Sequence, residues 1–173
     1  MRKSTYKIAL FGMISAAALV LSFLESVIPM ASFMPPGAKA GFSNVATMFA
    51  AVSLGFPAAA CVTLIKALFA GVTRGFTAMC MSFCGGMLST VAMYLMFRFS
   101  KAGYMLIGIV SALFHNLGQL LVACVLVGNS AVIGYAPVLL VSGIVTGAVT
   151  GTVLRAAIPR LDKITKDIKQ GGE

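Results

Sequence analysis

Between Ile8 and Ile158 the chain carries only seven charged residues in 151 positions, and several of the uncharged stretches exceed twenty residues. A water-soluble domain covers its surface with roughly 25% charged residues. This chain of 173 residues has 10%, is 60% hydrophobic and has a mean hydropathy of +1.01. It therefore belongs in a bilayer. An unpartnered backbone amide in hydrocarbon costs several kcal/mol, so each buried segment must close its own hydrogen bonds. The fold class is an all-α integral membrane protein.

Six apolar segments are expected, at Ile8–Ile28, Val45–Leu54, Pro57–Val72, Phe76–Phe97, Tyr104–Val127 and Val132–Ile158. The second and third are short and are joined by the tight Gly55-Phe56-Pro57 turn. Six crossings in one bundle put both termini on one side. Arg2, Lys3, Lys7, Arg98, Lys101, Arg155, Arg160, Lys163, Lys166 and Lys169 all fall on that side, against Lys39 and Arg74 on the other. Cytoplasmic loops are enriched in Lys and Arg, so both termini are expected in the cytoplasm. Residues 1–158 then form a six-helix transmembrane domain and 159–173 a basic amphipathic cytoplasmic tail, with Leu161, Ile164 and Ile168 on one face. Such a tail suits the anionic inner leaflet.

The net charge of +9 sits at segment ends rather than along one stripe, which excludes nucleic acid as a partner. The basic start and apolar run of the N-terminus imitate a signal peptide. That run is long for one and every later segment is also apolar, so retention is expected. Cys61, Cys80, Cys84 and Cys124 all lie in apolar runs, which argues against a disulfide framework.

Polar side chains inside such segments are costly and face partners or water. Glu25, Lys66 and Arg74 are the charges, and the stretch ALFHNLGQLLVA places His115, Asn116 and Gln119 near mid-bilayer. With Lys39 and Asn44 beside the outer loop, these residues converge on the outer half of the bundle. They could serve as interhelical glue with a Lys66–Glu25 ion pair. An outward-facing cavity is the preferred reading: three cations outnumber one acid, so the guest would be a small anion, with Glu25 positioning a cation. Pro35, Pro36 and Gly37 would shape a lid over it. Gly143, Gly147 and Gly151 form a small-residue seam, with a weaker pair at Gly12 and Ala16, for packing within the chain or docking another subunit.

Catalytic equipment is sparse. The only carboxylates are Glu25, Asp162, Asp167 and Glu173, so no aspartate-rich magnesium site and no catalytic triad at the depth of His115 can be assembled. A phosphate-cradling loop is also missing. Neither enzymatic activity, a cofactor nor a metal is expected.

The blocks SFLESVIP, PPGAKAGFSNVAT, HNLGQLLVA and PVLLVSGIVTG resemble the small bacterial membrane proteins called Gx transporters, also labelled heptaprenyl diphosphate synthase component I. The resemblance extends from about Ile8 to Ile158, with Gly37-x-Lys39-x-Gly41-x-x-Asn44 and His115-Asn116-x-Gly118-Gln119 as its most specific blocks. That family is similar to the substrate-binding S components of energy-coupling factor transporters. These are six-helix proteins with an outer lid loop and an outward pocket that dock onto a transmembrane coupling subunit with ATPases. Gly12 and Ala16 fall where that docking face would be, although their spacing departs from the alanine pattern usual there.

The resemblance implies a multi-pass protein of the bacterial cytoplasmic membrane that captures a small solute from outside and passes it inward with a partner. Two other roles stay open. One is an accessory membrane subunit of prenyl diphosphate or quinone metabolism. The other is a structural or redox subunit of a larger complex, using Cys80 and Cys84.

Overall fold

The computed structural model describes the backbone of residues 3–27, 41–128 and 130–170 and the side chains of residues 5–27, 41–128 and 131–159. Six helices follow one another: α1 (Lys3–Val27), α2 (Asn44–Leu54), α3 (Phe56–Arg74), α4 (Phe76–Phe99), α5 (Tyr104–Val127) and α6 (Ala136–Gln170). A 3-10 turn over Ser130–Tyr135 leads into α6. Among the described residues there is no strand.

The apolar runs and the helices coincide closely, and α5 matches residue for residue. Two differences have plain causes. α1 begins at Lys3 because a helix satisfies its own backbone beyond the hydrocarbon as well as within it. α6 continues through Pro159 to Gln170, where a break between bundle and tail was expected. Proline removes one amide from the ladder, the partner of the Arg155 carbonyl, and the neighbouring bonds carry the helix on.

Five helical stretches are long and apolar enough to cross a bilayer: Thr5–Val27, Phe56–Arg74, Phe76–Phe99, Tyr104–Val127 and Ala131–Pro159. α2 is not. Its 11 residues reach about 16 Å at about 1.5 Å per residue, roughly half of a hydrocarbon core of about 30 Å. Among the described residues five helices are of crossing length and one is of half length, where six crossings were expected. Large apolar side chains point outward around the bundle, with Val72 88% exposed and Phe99 and Val125 each 80% exposed. A protein with this surface is a multi-pass membrane protein.

From α3 to α6 neighbouring helices run antiparallel, as paired contacts show. Thr63 meets Thr90 while Gly71 meets Met79, Ser89 meets Ser111 while Gly85 meets His115, and Asn116 meets Ser142 while Gly108 meets Gly147. In each helix pair one residue number rises as the other falls. Gly55 and Gly75 make two of the reversals alone, both at φ 91°, a conformation that side chains rarely tolerate. Though short, α2 touches every other helix and forms the centre of the bundle. Its Ala46, Met48, Ala50 and Ala51 are buried with Ile14 and Ala18 of α1 and Ala59 and Val62 of α3.

Lipid gives helices no hydrophobic reason to associate, so close packing and interhelical hydrogen bonds hold them. The Gly143, Gly147 and Gly151 seam is consumed in this way inside the chain. A Cβ on Gly147 would lie 2.5 Å from Ile109 Cα and one on Gly151 2.5 Å from the Tyr104 carbonyl, so α5 fills the seam and leaves no place for a separate subunit. Gly12 is the opposite case, with nothing within 4 Å of an added Cβ, and both Gly12 and Ala16 are exposed. Gly147→Ala should therefore destabilise the detergent-solubilised protein by about 1–3 kcal/mol, whereas Gly12→Ala should leave its thermal unfolding midpoint unchanged. Equal effects in a thermal melt would contradict this packing.

Candidate functional site

The first amides of α2, Asn44 and Val45, bond to the Gly41 and Phe42 carbonyls of the turn that leads into it, at 3.0 and 3.1 Å. The amides of that turn itself, residues 41–43, need another acceptor, and Glu25, in the last turn of α1, supplies it. One carboxylate oxygen accepts from the Gly41 and Phe42 amides, the latter at 2.9 Å, and the other lies 3.4 Å from the Ser43 nitrogen. Glu25 is only 8% exposed. The helix dipole and the amides both favour negative charge there. Glu25 was expected to position a cation; it is instead held by backbone amides.

Lys66 comes from the middle of α3 and is 4% exposed. Its ammonium donates to Asn44 Oδ1 at 3.0 Å and to Thr47 Oγ1 at 3.4 Å, both on α2. The Lys66–Glu25 ion pair considered from the sequence is thus replaced by neutral acceptors. Glu25 is the only carboxylate in the sequence before Asp162. A buried cation held by neutral groups retains most of its charge, and that charge can attract a mobile anion.

His115 and Gln119 sit one turn apart on α5 and hydrogen-bond through their side-chain nitrogens. They face α2: a Cβ on Gly41 would lie 3.3 Å from Asn44 Nδ2 and 3.4 Å from His115 Cδ2. On the other side, Gly85 of α4 comes so close to His115 and Gln119 that an added Cβ would meet the His115 carbonyl at 2.7 Å. Glu25, Asn44, Thr47, Lys66, His115 and Gln119 therefore form one cluster, each more than 90% buried. The expected cavity, open to the outside, is closed at these residues.

Asn116 does not join the cluster. Successive helical residues point about 100° apart, so it faces α6, donating to the Leu139 carbonyl at 2.6 Å and to Ser142 Oγ at 3.3 Å. It is interhelical glue, where a cavity-lining role was expected. Arg74 stands half-buried at the end of α3. Lys39 and the lid residues Pro35, Pro36 and Gly37 lie outside the described residues.

Thr47 and the amides of residues 41–43 were missed from the sequence. Thr47 had a usable signal, since it lies one turn beyond Asn44 on the same helical face. The amides had none, because backbone donors carry no sequence signature.

Cys61, Cys80, Cys84 and Cys124 are unpaired thiols. Cys80 and Cys84 line an apolar groove of about 610 Å³ on the outer face of α4 and α5, with Phe83, Leu121 and Val125. Among the described residues no group of three or more His, Cys, Asp or Glu side chains gathers as a metal site would require.

A helical membrane protein built around a buried polar cluster, with a half-length helix starting at that cluster, is the class that fold and site define. Residues 14–157 match the family model described as heptaprenyl diphosphate synthase component I, and the chain belongs to that family. Neither a curated protein nor a solved structure matches the chain.

Two substitutions separate the roles of these polar groups. Glu25→Gln removes the charge from three backbone amides and should lower stability by about 1.5–3 kcal/mol. Asn116→Leu should lower it by about 1 kcal/mol. Both are read from unfolding in mild detergent. A neutral Glu25→Gln would mean that the carboxylate does not close the start of α2.

Proposed function

We propose that this protein is a solute-binding membrane subunit that takes up a small anion at the Lys66 cluster. The observation that carries this reading is the ammonium of Lys66. It is buried, ringed by neutral Asn44 and Thr47, and set in a bundle whose one acid is committed to backbone amides. Charged side chains inside membrane segments are rare and mark substrate or ion pathways. His115, Gln119 and Asn44 supply neutral hydrogen-bonding groups that fix orientation, and Arg74 steers anions toward the site. The role is binding and hand-over rather than catalysis, in line with a sequence that offers no second acid near His115.

By the excess of Lys and Arg on the terminal side, we place both termini in the cytoplasm of a bacterium and the start of α2 toward the outside. To the residues between α1 and α2, Pro35, Pro36, Gly37 and Lys39 among them, we assign the role of a lid. Uphill uptake would need an energy-supplying partner, and the exposed Gly12 and Ala16 on α1 are the surface we assign to a membrane-embedded one. The similarity to energy-coupling factor S components supports this arrangement.

The family description favours a second reading, an accessory membrane component of prenyl diphosphate synthesis. The apolar groove of about 610 Å³ between α4 and α5 has room for an isoprenoid chain.

Native mass spectrometry of the gently extracted protein tests both. A water-soluble anionic adduct that falls at least tenfold in abundance in Lys66→Ala, with the fold intact by circular dichroism, is the expected result. A prenyl diphosphate adduct instead would replace the first reading with the second. No adduct in wild type, together with no uptake of added anions, would remove both.

A further inference from the structure

Ser43 occupies the position before α2 where a serine side chain usually caps a helix, yet its hydroxyl makes no capping bond. Three amides in a row, from residues 41 to 43, converge instead on a carboxylate brought from another helix, and both of its oxygens are used. The first amides of α2 itself, Asn44 and Val45, bond to the Gly41 and Phe42 carbonyls, so Glu25 serves these three amides and not the helix proper. Resting on the solute-binding reading above, we propose that this amide cradle is a carboxylate-binding subsite, filled by Glu25 until a carboxylate-bearing solute displaces it.

Donors that Glu25 leaves unused surround the cradle. Asn44 Nδ2 is buried and has no acceptor among the described residues. It lies 3.3 Å from where a Cβ on Gly41 would stand, and so borders the first cradle amide directly. Lys66 has three N–H groups and two recorded acceptors, leaving one donor over. An incoming carboxylate in the cradle accepts from the amides as Glu25 does, and gains Asn44 Nδ2 and the Lys66 ammonium besides. His115, in contact distance of Gly41, flanks the same position.

The displaced group has somewhere to go. Glu25 belongs to the last turn of α1, a helix that packs chiefly on α2 and α3. Its neighbours Phe23 and Leu24 are exposed. A small shift of this loosely held end withdraws the carboxylate and opens the cradle. Glu25 thereby acts as a built-in competitor, occupying the cradle amides when no solute is present.

The test uses the full chain in detergent with acetate as the probe. Glu25→Ala empties the cradle, so its melting temperature should fall and sodium acetate should restore most of the loss, while sodium chloride at equal ionic strength does not. Half-maximal acetate should be at least tenfold lower for Glu25→Ala than for wild type, and should rise again in Glu25→Ala/Lys66→Ala. If Glu25→Ala does not fold, Glu25→Gln keeps the shape without the charge and takes the same titration. Chloride stabilising as well as acetate, or inorganic phosphate stabilising better, would overturn the carboxylate subsite. A wild-type protein that carries a Lys66-dependent solute but whose variants ignore acetate keeps the function and loses the subsite. Acetate rescue in a protein that binds no other solute does the reverse.

Discussion

A turn that leads into a helix inside a membrane bundle points its amides toward protein, not water, and those amides must find acceptors there. For residues 41–43, just before α2, the acceptor is one carboxylate, Glu25. Everything about the site follows from that contact. It ties the end of α1 to the start of α2, fixes the depth at which α2 begins, and brings Asn44 and Thr47 to the height of Lys66 on α3. Because α2 is only half length, its start is offered to α5 as well, and Gly41 comes to rest beside His115.

The remaining helices are held by means that suit lipid. Where two backbones approach, glycine removes the side chain from the contact, as at Gly108 against Gly147 and Gly85 against Gly118. Between such contacts, hydroxyl pairs such as Thr63 with Thr90 at 2.9 Å and Ser89 with Ser111 at 2.7 Å add directional bonds. The result is a bundle with α2 at its centre, packed among α3, α4, α5 and α6, with α1 against α2 and α3. The polar cluster sits where α1, α2, α3 and α5 meet.

Much of this was legible. Long uncharged runs separated by Gly, Pro and charge gave all six helices, because in hydrocarbon the backbone has almost no alternative to helix. Glu25, Lys66, His115 and Gln119 stood out for the same reason: a polar group there is too costly to be idle. The errors came from direction rather than identity. Asn116 follows His115 in the chain but points at α6. Glu25 and Lys66, opposite charges at similar depth, suggest a pair, yet the amides at the start of α2 outcompete the ammonium for the carboxylate.

Composition and periodicity by themselves determined that this chain is a helical membrane protein, where its helices lie, and which polar residues need partners. These are one-dimensional consequences of solvation, readable wherever a segment is too apolar for water. Only the tertiary structure decided who partners whom. It assigned the Gly143, Gly147 and Gly151 seam to α5 of the same chain and left Gly12 and Ala16 outside. It also set Glu25 against backbone donors that no sequence pattern announces. Partner choice depends on distances between segments far apart in the chain, and those distances exist only once the bundle is packed.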